Sequence, residues 1–170
     1  MRERNNRRVD SNTEITIMNN TNGNLNIADG KYAAPIRFVR TGDYHNVTYD
    51  EFKDIVNNNF ALFESLGIVV IDVYHDKIDY TIDDILESVR MKGIYKDGID
   101  WENLEDKLMK INSDDYYNMV MSISKPARSR VIQHTVEIIT SGKREKRYFE
   151  RALEEIYGVL ALDGVGDEEE

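Results

Sequence analysis

Three histidines, a run of aspartates and a group of arginines and lysines are the side chains here whose types could support chemistry. His45, His75 and His134 are scattered, without the local spacing that sets two imidazoles on one helix face for a metal ion. Asp72, Asp76, Asp79, Asp83 and Asp84 form a dense acidic stretch, but it lacks the glycine and the terminal glutamate of a calcium loop. Carboxylates at such a place more simply complement the positive end of a helix. Cysteine is absent, which removes thiolate nucleophiles, disulfides and cysteine-ligated zinc, and fits a reducing compartment. Gly23, Gly30 and Gly42 do not build a phosphate loop, since no glycine-rich run leads from a strand into a helix. No serine sits in a nucleophile elbow. The expectation is a non-enzymatic chain with no catalytic residue, metal or cofactor.

The candidate contact residues are cations. Arg128 and Arg130, then Lys143, Arg144, Lys146 and Arg147, with Lys125 and Arg151 flanking them, make residues 125–151 basic inside an acidic protein. Cations at 143–147 would lie near a helix start, where the dipole disfavours them, so an acidic neighbour, another subunit or a polyanion should offset that cost. The two helices around Ser141 and Gly142 could imitate a DNA-binding helix pair. The interleaved Glu145, Glu150, Glu154 and Glu155 offer the other reading, a salt-bridged solvated face.

The net charge of −10 argues against bulk binding to nucleic acid or an anionic membrane. The opening residues carry arginines with no apolar segment behind them, unlike a secretory signal. No stretch approaches the roughly 18 apolar residues of a membrane span. A soluble protein that stays where it is made is expected.

The elements that must position these residues follow from periodicity. Residues 1–12 have little to bury and read as a flexible basic arm. Ile15 and Ile17 alternate with Glu14 and Thr16 as a half-buried strand. The Asn-rich turn after it, ending at Gly23 and Asn24, suggests a hairpin with a strand at Leu25 and Ile27. A third strand covers residues 36–40, and residues 41–43 turn. Thr48 and Glu51 form a capping box for a helix burying Tyr49, Phe52, Ile55, Val56 and Phe60. The longest aliphatic run, Ile68, Val69, Val70 and Ile71, is a strand. Beyond residue 75 the period changes to that of helices, the first capped by Thr81. The next is marked by Trp101, Leu104 and Leu108, a third opens at Ser113, a fourth starts at residues 124–126, and a fifth carries Tyr148, Phe149 and Leu153. The expected fold is α+β: a small antiparallel β-sheet domain with one packed helix at 13–75, an antiparallel helical bundle at 81–160, and an acidic disordered tail at 161–170.

This order of motifs resembles a family. An opening strand TEITIMNNTNG is followed by IRFVRTGDYHNVTYDEFKDIV and by the aliphatic strand GIVVIDV. The acidic helix start TIDDILESV, the span WENLEDKLMKI and the basic segment KPARSRVIQHTVEIITSG complete it. Over residues 13–160 the layout is similar to that of small structural and accessory proteins of tailed bacteriophages, departing from it at Asn57, Asn58 and Asn59 and in the last helix. The resemblance implies a non-enzymatic auxiliary protein of the virion, made in the host cytoplasm. Its partner would be the major capsid protein or a neck component, and a homo-oligomer is compatible. The rival expectation is a regulator touching nucleic acid or a polymerase through the basic helices at 125–151.

Overall fold

A computed structural model of the chain describes residues 8–28 and 35–158. It is a mixed α+β protein with a three-stranded antiparallel sheet and seven α-helices among those residues. The expected acidic tail, most of the expected arm and the turn at Asp29 and Gly30 lie outside the described residues. The chain divides into two compact units, Met1–Lys96 and Asp97–Glu170.

In the first unit the central strand is β1 (Glu14–Asn19). Its Ile15 and Ile17 are fully buried, as the alternation requires of a sheet with one covered face. β1 lies antiparallel between β4 (Tyr44–Thr48) and β5 (Ile68–Tyr74), so that Ile15 stands opposite both Val47 and Val73. The expected hairpin with the next strand is not formed. β2 (Leu25–Ile27) instead pairs with β3 (Ile36–Phe38) in a separate two-stranded ribbon. Asn19 is the physical reason. It is wholly buried, and its Nδ2 donates to the carbonyls of Gly23 (2.9 Å) and Arg40 (3.0 Å). Its Oδ1 accepts from the Thr21 amide (2.9 Å) and hydroxyl (2.6 Å). Every hydrogen-bonding site of that amide is filled, and the turn after β1 is thereby tied to the distant turn at 40–43 instead of closing on its own strand.

β5 is an edge strand with an irregularity. Thr16 faces Asp72 but Ile17 faces Val70, leaving Ile71 as an extra, bulged residue. Two amides of this strand are taken by side chains: that of Val70 donates to Tyr95 Oη (2.5 Å) and that of Val73 to Asp72 Oδ1 (2.9 Å). Burial raises the Tyr95 phenol well above its ordinary range, the Val70 amide opposing, so the hydroxyl stays protonated.

Helix α1 (Tyr49–Asn58) carries the expected reciprocal box: the Thr48 hydroxyl accepts from the Glu51 amide, and the Glu51 carboxylate accepts from the Thr48 amide at 2.7 Å. Its Phe52 meets Phe63 of α2 (Phe60–Glu64) edge to face at 5.7 Å. Helix α3 (Ile82–Ser88) is capped in the same way by Thr81 and Asp84. Its Ile85 and Leu86, together with Met91, join the core that holds Ile15, Ile17, Phe52 and Val70. Three helices, not one, therefore pack in this unit, and the unit runs past residue 75 to Lys96. The change of hydrophobic period reports the type of element, not what its buried face packs against. Val9, expected to lie in a flexible arm, is also in this core and only 5% exposed. The Asp10 amide beside it donates to Tyr80 Oη at 3.2 Å, so this end of the expected arm lies on the unit.

The second unit is helical among its described residues: α4 (Leu104–Lys110), α5 (Ser113–Ser122), α6 (Lys125–Thr140), a 3-10 turn (Lys146–Tyr148) and α7 (Glu150–Tyr157). Trp101 lies in the bend before α4, not within it. Tyr116 of α5 packs edge to face on Phe149 at 4.8 Å and exchanges a 2.9 Å hydrogen bond with Thr135 of α6. Its burial pushes the phenol up to about 12.

Candidate functional site

The basic segment is built around two helix ends. Only Ile123 and Ser124 separate α5 from α6, and Pro126 sits in the first turn of α6, where its missing amide costs nothing. This short link sets Arg128 beside the last carbonyls of α5. Its Nε donates to Val120 O (2.9 Å), and its Nη2 to Met121 O (3.1 Å) and Ile123 O (3.3 Å). Those are carbonyls that a helix terminus leaves without intrahelical partners, and a cation there also meets the favourable end of the dipole. Arg130, half-buried, donates to Gln133 Oε1 at 2.7 Å, and burial lowers its pKa.

The second group follows the break at Ser141 and Gly142. Gly142 has φ of +68°, a conformation that favours glycine, and the Lys143 amide returns to Ile138 O (3.0 Å) to close α6. The chain then brings Arg144 to the C-terminus of α4. There the guanidinium donates to Leu108 O and, at 2.6 Å, to Ile111 O. The same group lies over the Tyr148 ring at 4.2 Å and 5.3 Å from that of Phe149. Lys143 pairs with Glu105 (2.6 Å), and Arg147 pairs with Glu145 (2.9 Å) while flanking Tyr148 from 5.1 Å. Arg151 pairs with Asp114 (3.0 Å) and covers Tyr117 at 4.1 Å. Tyr117 in turn donates to Glu155 (2.6 Å), which raises the phenol's pKa. Lys146 has no ion pair among the described residues.

The six candidate cations thus have different situations. Arg128 and Arg144 have their donors engaged on carbonyls of their own unit, and Lys143 and Arg147 face acidic neighbours. The dipole conflict expected at 143–147 does not arise, because α7 begins only at Glu150 and Arg144 serves the negative end of another helix. The signal for Arg128 was present in the two-residue link. That for Arg144 was not, since its acceptors lie more than thirty residues earlier in the chain.

The histidines have separate local roles. His45 Nε2 stands 3.0 Å from Arg37 O and its ring meets Phe38 edge-on. His134 is buried on α6, where desolvation lowers its pKa. His75 Nδ1 accepts from the amides of Lys77 (3.2 Å) and Ile78 (3.1 Å). Within the acidic stretch, Asp84 completes a capping box and Asp72 receives the Val73 amide. Among the described residues no three histidine or carboxylate side chains converge as a metal site, and no helix is long and apolar enough to cross a membrane.

One surface feature carries no charge pattern. Asp43 clamps the turn between β3 and β4, its Oδ2 accepting from the amides of Val39 (2.7 Å) and Arg40 (3.1 Å) and its Oδ1 from Arg40 Nε (3.2 Å). The Val39 amide, ahead of the Arg40 contacts and against desolvation, lowers the carboxyl's pKa. The clamped turn leaves Val39 77% and Tyr44 65% exposed. Comparison of the chain with protein-family models, with curated proteins and with solved structures finds no match.

Proposed function

We propose that this chain is a non-enzymatic accessory protein of a tailed-phage virion, docking on a capsid or neck protein. In this reading a β-rich N-terminal unit is followed by a C-terminal antiparallel helical bundle. The observation that carries a protein partner is the turn at 39–44. It displays an aliphatic and an aromatic side chain to solvent on a backbone fixed by the Asp43 carboxylate. Apolar groups held rigidly lose little entropy on contact, and aromatic anchors contribute much of the energy of an interface. The virion as the setting rests on the resemblance of the motif order over residues 13–160. In a particle, many copies act together, so a small docking tip suffices.

The cations favour this over the nucleic-acid reading. A surface that binds phosphates presents donors with nothing else to hold, whereas Arg128 and Arg144 hold helix ends. The test is quantitative mass spectrometry of purified particles of the encoding phage against infected-cell lysate, with wild-type and Val39→Glu chains. A fixed copy number relative to the major capsid protein, reduced by Val39→Glu, is expected. Absence from particles sinks the proposal. Salt-sensitive DNA binding lost on joint substitution of Lys146 and Arg147 by Ala would put the regulator in its place.

A further inference from the structure

We infer that the open edge of β4 joins two copies of this chain, each β4 pairing antiparallel with the other about a two-fold axis at His45. The two edges of the sheet are built differently. Along β5, side chains occupy main-chain amides and a bulge breaks the ladder. β4 has no such device. Its five residues include no proline, carboxylate, lysine or arginine, and its register with β1 runs unbroken from Glu14 to Met18. An edge of that kind accepts another strand.

The direction of the β4 backbone follows from its two ends. The Asp43 carbonyl accepts from the Asn19 amide (2.9 Å), and the Tyr49 amide donates to Thr13 O (2.8 Å), both toward β1. Odd-numbered residues between them therefore turn their main-chain groups to β1, and even-numbered residues turn theirs away. At Thr48 the outward amide is held by Glu51 (2.7 Å), and the carbonyl of a helix cap accepts the first helical bond. Tyr44 and Asn46 are left, with two amides and two carbonyls that no strand meets among the described residues. Both residues are exposed, and the side chains there are drawn off the edge. Asn46 donates to Glu14 (2.9 Å) and accepts from Thr16 (3.0 Å) on the outer face of the sheet, while His45 Nε2 stands 3.0 Å from Arg37 O on the other.

A second copy matches these four groups without remainder. With the axis at His45, Tyr44 of each chain lies opposite Asn46 of the other, and each pair exchanges two hydrogen bonds. An axis at Asn46 would set Tyr44 against the occupied Thr48 and forfeit half of them. The same register carries the turn at 40–42 of one copy alongside the start of α1 in the other. Arg40, its side chain 83% exposed and its Nε on Asp43, thereby approaches the acidic first turn of Asp50 and Glu51. That match of charge occurs twice and favours a second copy over an unrelated peptide. A two-fold axis normal to the sheet preserves its faces, so both Tyr44 rings stand on the outer face of one six-stranded sheet. Pairing thus goes beyond the docking tip and doubles its aromatic anchor, and the guarded β5 edges stop the assembly at two chains.

The test is sedimentation equilibrium of the full chain from about 10 μM to about 1 mM, the range in which a small interface associates, with amide hydrogen exchange at both ends of it. The mass is expected to rise from 19.8 kDa toward twice that value. The Tyr44 and Asn46 amides should gain protection with concentration, while those of His45 and Val47, already bonded to β1, hold theirs. Asn46→Pro removes an amide that β1 does not use, a change an edge strand tolerates, and should leave a monomer throughout. Cross-linking reads the register independently of that variant's folding. The chain has no cysteine, and residues facing each other in a non-hydrogen-bonded pair come within disulfide reach. Under mild oxidation His45→Cys should therefore form a covalent dimer, and Tyr74→Cys, exposed on β5, should not. Four results would each overturn the pairing: a monomer at every concentration, a dimer with Tyr44 and Asn46 unprotected, a dimer that persists in folded Asn46→Pro, or equal cross-linking of the two cysteine variants.

Discussion

Replacing Arg144 by Ala tests whether the basic segment is scaffolding or surface. The side chain makes two charged hydrogen bonds, to Leu108 O and Ile111 O. Such bonds contribute about 1.5–3 kcal/mol each, and the lower end suits a half-buried group whose acceptors water can partly reach. Contact with the Tyr148 face adds about 0.5–1 kcal/mol. The expected loss is about 3–4 kcal/mol, a large part of the roughly 5–15 kcal/mol that holds a domain together. The assay is urea unfolding followed by fluorescence of Trp101, the only tryptophan, buried in the second unit. With a denaturant slope of about 2 kcal/mol/M, the midpoint should fall by about 1.5–2 M. Arg144→Lys keeps a cation at the end of α4 but not the planar fork, and should lose about 2 kcal/mol. Arg147→Ala removes an exposed pair and should cost no more than about 0.5 kcal/mol. Equal, small effects of Arg144→Ala and Arg147→Ala would refute the reasoning and return Arg144 to the list of surface contacts.

Two further outcomes follow from buried polar groups. Asn19→Asp keeps the shape but sets an oxygen where Nδ2 donated to Gly23 and Arg40; thermal unfolding should show a loss of about 3 kcal/mol at pH 7 that shrinks toward about pH 4, where the new carboxyl can protonate, and a pH-independent loss would contradict it. Desolvation of His134, with Arg130 adding and Glu137 and Glu105 opposing, lowers its pKa from 6.5. The unfolded chain then takes up a proton that the folded one refuses, so stability is full above about pH 6.5 and declines as pH falls toward the folded value. The Trp101 midpoint should show that decline in the wild type and a shallower one in His134→Gln; equal slopes would refute it.

What the sequence made legible was local. The capping box of Thr48, the cap at Thr81, the stripe of Tyr49, Phe52, Ile55 and Val56, and the break at Gly142 all depend on neighbours within a few residues, and each was readable from spacing; Phe60, expected in the same stripe, instead opens α2 and is 47% exposed. Pairing was not. Residues 44–48 bury only Val47, so their alternation is faint, and nothing local reveals that they line β1. The hairpin after β1 looked favourable because Asn and Gly are turn residues, but Asn19 answers to the carbonyl of Arg40, which no local rule supplies. The cations illustrate the same limit: charge is visible in sequence, whereas the acceptor that occupies it is not.

The edge of β5 has a consequence for how this chain behaves among copies of itself. Ile68, Val69, Val70 and Ile71 form an apolar, β-prone, uncharged run, the kind of segment that seeds cross-β stacking when its edge is open. Here the Tyr95 hydroxyl takes one amide, the Asp72 carboxylate another, and the bulge at Ile71 bends the strand between them. A foreign strand finds neither a flat template nor a regular ladder of free donors. The side chains that shape this edge thus guard the chain against amyloid-like growth and strand exchange while it is crowded with its own kind.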